Sequence, residues 1–164
     1  MADLLVRLYD LPPAGPAAEG LASQGIVVRR AMAGERSIVV DWARAQGSPG
    51  WAGECEAAFA RQPLACFIAV AADELVGFAC YEATCRNFFG PELVHPDRRG
   101  RGIGRALLLA ALHAMRAEGY AYAIIGWASS VDFYRRVVGA TPIEGSSPGI
   151  YPVPPLSKVR SGEF

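Results

Sequence analysis

Val94-His95-Pro96-Asp97-Arg98-Arg99-Gly100-Arg101-Gly102-Ile103-Gly104-Arg105 is the stretch whose reading decides the fold. Three glycines alternate with arginine and isoleucine between an apolar, strand-like run that ends at Val94 and the strongest helix pattern in the chain. Glycine permits tight turning and close backbone approach. The first amides of a helix have no partner inside it, and with the helix dipole they form an anion site. A pyrophosphate fits such a turn, and Arg99, Arg101 and Arg105 add charge. Other phosphate loops are excluded by spacing. No G-K-[ST] follows, and alternating glycines do not make G-x-G-x-x-G.

Downstream, Arg101 to Glu118 reads as the long helix, with Leu107, Leu108, Ala111, Leu112 and Met115 on its apolar side and Gly119 as its stop. Tyr122–Ile125 then reads as a strand, Val131–Val138 as a short helix ended by Gly139, and Thr141–Glu144 and Ile150–Val153 as the last strands. Upstream, Cys66–Ala71 is almost wholly apolar, as a buried central strand should be. Asp73-Glu74 turns it into a hairpin partner, Leu75–Glu82. A third strand falls within Cys85–His95, interrupted at Gly90-Pro91, where proline marks an edge or a bulge. Leu4–Tyr9 and Ile26–Arg30 are earlier strands, separated by a Pro-, Gly- and Ala-rich stretch from Pro12 to Gly25 that reads as a loop or a loose helical turn. Helices are expected over Gly34–Ala45 and Trp51–Arg61. The order predicts one α+β domain over 1–164, with an N-terminal strand and loop over 1–25 and a frayed tail over 154–164.

Composition narrows the function. The chain has 164 residues, of which 52% are apolar and 20% charged, a globular balance. Sixteen basic residues offset sixteen acidic ones, which argues against nucleic-acid or membrane-surface binding. There are two histidines and four cysteines, and no C-x-x-C pair, so a metal site is not expected. Cys55, Cys66, Cys80 and Cys85 read as reduced thiols of a cytoplasmic protein. The start lacks the basic and apolar regions of a signal peptide, and no apolar run is long enough to span a membrane.

The stretch from Val94 to Gly104 resembles the central motif of the GNAT acyltransferases, R/Q-x-x-G-x-G/A, with Arg99, Gly102 and Gly104 at its fixed positions. A second segment, Phe133-Tyr134-Arg135-Arg136-Val137-Val138-Gly139-Ala140, resembles the same family's F-Y-x-x-x-G-[FA], with one extra residue before the glycine. The resemblance covers roughly residues 26–153. It implies a GNAT-like three-layer fold: a central mixed, largely antiparallel sheet of about seven strands, flanked by four helices and splayed between its two central strands. It implies acetyl-CoA as acyl donor, with the amides of Arg99, Gly100, Arg101, Gly102, Ile103, Gly104 and Arg105 on its pyrophosphate and the main chain of Leu93 and Val94 on its pantetheine arm. The Val94 amide would polarise the thioester carbonyl. A primary amine of a small-molecule or amino-acid-like acceptor would attack directly, and many relatives act as homodimers.

Tyr134 matches the tyrosine that protonates the departing thiolate. Core packing by an aromatic residue is the competing reading. No base announces itself. Glu82, near the end of a strand beside the slot, and Glu92, on the splayed strand, are the first candidates, and Glu54 on the second helix is a third. His95 precedes a proline at a strand end, and His113 reads as an exposed helix residue. Trp42, Trp51 and Phe59 line an apolar acceptor pocket or pack the core. Two positions depart from the family pattern: Leu93 stands where glycine is frequent, and Trp127 stands where asparagine reaches the cofactor. Trp127 and the lack of an evident base favour an alternative, a non-catalytic acyl-CoA-binding or regulatory module.

Overall fold

The computed structural model describes residues 1–150. In chain order the elements are β1 Leu4–Arg7, α1 Gly15–Ala22, β2 Ile26–Arg30, α2 Arg36–Gln46, α3 Pro49–Phe59, β3 Cys66–Ala71, β4 Glu74–Tyr81, β5 Phe88–Val94, α4 Ile103–Ala117, β6 Tyr122–Ile125, α5 Val131–Val138 and β7 Thr141–Pro142. The seven strands form one open sheet in the order β2-β3-β4-β5-β6-β1-β7. All neighbours are antiparallel except β5 and β6, which are parallel and joined through α4.

Helix α4 forms the core of one layer. Ile103, Leu107, Leu108, Leu109, Leu112 and Met115 are fully buried. A helix apolar on most of its circumference has to be covered on most of it. It packs on β2 through β6 and against α1. Truncating Leu107 or Leu112 to alanine would cost about 2–5 kcal/mol. Alternation along β4 sends Phe78 to the opposite face, where its ring meets Trp42 of α2 edge-on at 5.9 Å. Cys80, on the same face as Phe78, meets Cys55 of α3. Helices α2 and α3 therefore form the other layer.

Several boundaries differ from the sequence expectation: the first strand ends at Arg7, where Leu8–Asp10 turns into a 3-10 helix, and three other differences have a local cause. The long helix starts at Ile103, not Arg101, because Gly102 adopts a left-handed conformation (φ 89°) and becomes the N-cap. The stretch 12–25 contains a real helix, α1, with proline tolerated in its first turn and Leu21 buried. This raises the helix count to five. The strand expected over 141–144 shrinks to Thr141–Pro142, since Pro142 has no N–H to extend a ladder. Ile150 is not in a strand, and the rest of that last expected strand lies outside the described residues, as does the 154–164 tail. No helix among the described residues is long and apolar enough to cross a membrane.

All four cysteines are unpaired. Cys55, Cys66 and Cys80 are fully buried, with the Cys80 thiol 3.8 Å from the Cys55 sulfur. Burial, followed by its cysteine neighbours, pushes the Cys80 thiol well up. Cys85 is half-buried. Thiol titration of the unreduced protein should therefore find one accessible group in the native state, Cys85, and four after denaturation. A denatured total below four would mean that a pair has oxidised.

Candidate active site

The site begins where the sheet comes apart. Tyr81 of β4 faces Phe89, and Ala79 faces Glu92, so Gly90 and Pro91 together oppose the single residue Cys80. This is a β-bulge. Gly90 has φ 124°, which favours glycine, and Pro91 supplies no N–H where the ladder is interrupted. On the other side, β5 pairs with β6 only at Phe88 and Phe89. From Gly90 to Val94 the β6-facing edge of β5 has no strand beside it among the described residues. The His95 amide turns to β4, where it donates to the Val76 carbonyl at 2.9 Å. Alternation then points the main-chain groups of Val94 to the parted side. The Val94 carbonyl there accepts from Arg99 Nε at 3.2 Å.

The anion cradle lies directly beyond. Gly100 (φ 76°) and Gly102 (φ 89°) hold conformations that side-chain-bearing residues rarely adopt. No side chain caps the start of α4. The first-turn amides of Ile103, Gly104 and Arg105 consequently lack helical partners. Gly104 leaves room for ordinary contact only, so a side chain larger than alanine would crowd the helix start. A Cβ there would sit 3.4 Å from Glu92 Oε1 and 3.7 Å from Phe133 and Val94. The unpaired amides and the neighbouring Arg99, Arg101 and Arg105 fit a pyrophosphate in donor set and charge.

Glu92 and Tyr134 meet inside the slot. The Tyr134 hydroxyl donates to Glu92 Oε2 at 3.3 Å. Glu92 as a residue is half-buried, yet its Oε1 is sealed from solvent and has no hydrogen-bond partner. Burial pushes the Glu92 carboxyl up to about 8, only partly opposed by the tyrosine hydrogen bond. Burial and then the Glu92 charge push the Tyr134 hydroxyl well above the ordinary tyrosine range. Helix α5 places Tyr134 here, with Phe133 and Phe89 packed edge-on against its ring at 5.1 and 6.4 Å.

The other candidates lie elsewhere. Glu82 sits in a left-handed turn (φ 58°) and is 8% exposed. Its Oε1 accepts the Asn87 amide, and its Oε2 accepts the Tyr120 hydroxyl at 2.9 Å and pairs with Arg61 at 3.3 Å. With both oxygens engaged, it fastens the 82–87 turn and is not brought to the Glu92–Tyr134 pair. His95 accepts the Asp97 amide at 3.3 Å beside Trp42. His113 bonds the Pro12 carbonyl at 2.9 Å and so is a half-buried tether, not an exposed residue. Trp42 and Phe59 belong to the core, whereas Trp51 lines the cavity.

That cavity, about 700 Å³, opens where β5 leaves β6. Glu54, Glu92, Tyr134 and Trp127 line it. Thr84 Oγ1 donates to Glu54 Oε1 at 2.5 Å and holds that carboxylate in place. Trp127 has a left-handed backbone (φ 47°), its amide donates to Asp3 Oδ1 at 3.0 Å, and its indole N–H donates to the Pro148 carbonyl. Asp3 also lines the cavity, is 6% exposed, and was missed by the sequence reading. An acid just before a strand resembles a surface residue, and only the placement of β1 beside β6 brings it here.

Residues 62–137 match the family model described as an acetyltransferase (GNAT) domain. Among curated proteins there is no significant match. Among solved structures, the chain is similar to the GCN5-related glucosamine N-acetyltransferase region of a fungal multi-domain GH3 beta-N-acetylglucosaminidase, with a TM-score of 0.69 and 16% identity over 87% of this chain and 19% of that one. It is similar to a GCN5-related N-acetyltransferase from Sphaerobacter thermophilus, with a TM-score of 0.63 and 21% identity over 87% of this chain and 48% of that one. A GCN5-related N-acetyltransferase from Kribbella flavida gives 0.51 and 18% over 86% and 53%. This chain thus spans 19% to 53% of the length of these relatives. At such identities the likeness is one of fold. The segment matched by the family model, just under half of the chain, holds the glycine turn, the parted strand and Tyr134, so that over these residues the chain is similar to a GNAT acetyltransferase domain and as a whole it shares the fold of the N-acetyltransferase structures.

Proposed function

We propose that the protein is a cytoplasmic N-acetyltransferase that moves an acetyl group from acetyl-CoA to a primary amine of a small-molecule acceptor by direct attack. The observation that carries this reading is the Glu92–Tyr134 pair, held in a desolvated slot beside a cradle of helix-start amides. Acetyl-CoA would supply the acetyl group as an activated thioester. Ile103, Gly104 and Arg105 would hold its pyrophosphate through their amides, with Arg99, Gly100, Arg101 and Gly102 shaping the turn. Leu93, Val94 and Trp127 would flank its arm.

The two side chains divide the proton work. As the amine nitrogen bonds to the carbonyl carbon and the carbon–sulfur bond breaks, Glu92 accepts the proton that nitrogen must lose. A base that titrates near the working pH is well matched to this task. Tyr134 gives its hydroxyl proton to the departing sulfur. A tyrosine with a raised pKa is a weak acid alone, but the contact to Glu92 lets the proton gained by Glu92 refill Tyr134. The net transfer is one proton from nitrogen to sulfur. Glu92 serves as base only when ionised, so kcat/KM should climb with pH and level off above about 8.

Tyr134→Phe keeps the ring and removes the hydroxyl. It should retain its melting temperature and cofactor affinity and lose roughly tenfold to a hundredfold in kcat. Undiminished turnover would reassign the acid.

Glu92→Gln tests the buried carboxyl independently of turnover. Between the ordinary carboxylate range and about 8, the native state binds a proton that the unfolded chain does not, so stability falls as pH rises through that window. The glutamine variant should therefore melt near the wild-type temperature at pH 5 and several degrees above it at pH 9. A gap that does not change with pH would show that Glu92 is not held protonated.

Gly104→Val should fold but fill the space over Glu92 at the helix start. CoA affinity measured by calorimetry should drop roughly tenfold or more, the scale of one or two charge-assisted hydrogen bonds. Unchanged affinity would move the cofactor elsewhere.

A further inference from the structure

The cavity carries a charge pattern that the transfer reaction does not require. Asp3, Glu54 and Glu92 all line it, and among the described residues no lysine, arginine or histidine side chain does; the exposed Met1 carries the one cationic group on the described lining, its α-ammonium. The chain as a whole is neutral, so this separation is local. Asp3 is the most telling member. It is 6% exposed and makes no ion pair with any described residue, while its side chain accepts the Trp127 amide. A buried carboxylate normally has a cationic partner. Glu54 is fixed by Thr84 and likewise makes no ion pair with a described residue. Glu92 adds a sealed oxygen with no partner. The remaining walls include Trp51, Phe88, Phe89 and Trp127, flat apolar surfaces suited to a ring or a hydrocarbon body.

We propose that the acceptor is a cationic amine with an apolar, ring-sized body and no acidic group, and that Asp3 and Glu54 select it by charge. This rests on the acetyltransferase reading and narrows it. An α-carboxylate or phosphate on the acceptor would enter a cavity already lined with three carboxyl side chains, with no described lysine, arginine or histidine side chain to meet it. Amino acids and phosphorylated amines are thereby rejected, while the decarboxylated counterpart of an aromatic amino acid is accepted. The same field draws the ammonium form to the cavity; its first proton passes to solvent, and the neutral amine then attacks and gives its second proton to Glu92.

The test compares tryptamine with tryptophan, which differ by one carboxylate. Calorimetry on the full chain saturated with CoA reads recognition, and thiol release from acetyl-CoA reads turnover. Tryptamine should bind at least about a hundredfold more tightly than tryptophan, the scale of a buried like-charge contact. Asp3→Asn keeps an oxygen for the Trp127 amide and removes only the charge, and Glu54→Gln does the same beside Thr84. Each should weaken tryptamine about tenfold or more without lowering the melting temperature or CoA affinity. Equal binding of the two ligands, no binding of tryptamine, or unchanged affinity in both variants overturns the proposal. Discriminating binding without thiol release supports this recognition and instead overturns the catalytic reading.

Discussion

The active-site region depends on one backbone constraint. A sheet holds together because each strand finds hydrogen-bond partners on both sides, and β5 gives up one side from Gly90 onward. The Gly90-Pro91 bulge inserts one extra residue against β4, which bends β5 while its pairing to β4 continues to Val94. The chain then turns through Gly100 and Gly102 into α4, whose first amides are also unpaired. A strand edge and a helix start, both short of partners, therefore lie next to each other. This arrangement is costly in an isolated protein and suited to an extended ligand that ends in an anion. The anchoring of α4 by its leucines keeps the two elements in place.

The same parting explains the electrostatics. Opening β5 from β6 makes a cleft whose floor is apolar, and α5 covers part of it. A carboxyl on β5 that faces inward is then desolvated, and burial outweighs the single hydrogen bond from Tyr134. One residue type thus meets two fates in neighbouring segments. Burial in the slot raises the Glu92 carboxyl to about 8. Glu82, ten positions earlier, is engaged by Arg61, Tyr120 and the Asn87 amide and works as a fastener. The difference lies in the partners each acid meets and not in the acids themselves.

Much of this was legible in the sequence because it is local. Alternating glycines at a strand-to-helix junction dictate a turn that only glycine adopts easily, and the leucine spacing after them dictates a buried helix. Gly90-Pro91 marks an interruption because proline cannot donate. The Phe-Tyr segment at its set distance places Tyr134 near the helix start. Where the local reading erred, the cause was also local. Gly102 was counted as helical although its left-handed geometry makes it a cap, and α1 was concealed by its prolines and glycines.

The sequence by itself determined the glycine turn, the long helix and the resemblance to a GNAT acetyltransferase domain, since those follow from residues adjacent in the chain. Only the tertiary structure decided which acids line the cavity and which of them is desolvated. Asp3 and Trp127 are 124 residues apart and meet because β1 lies against β6. Glu54 reaches the cleft because Thr84, from another element, holds it. Side-chain burial, and the charge state that follows from it, is a property of such long-range pairings. No pattern along the chain encodes it, because desolvation depends on what the rest of the fold brings near.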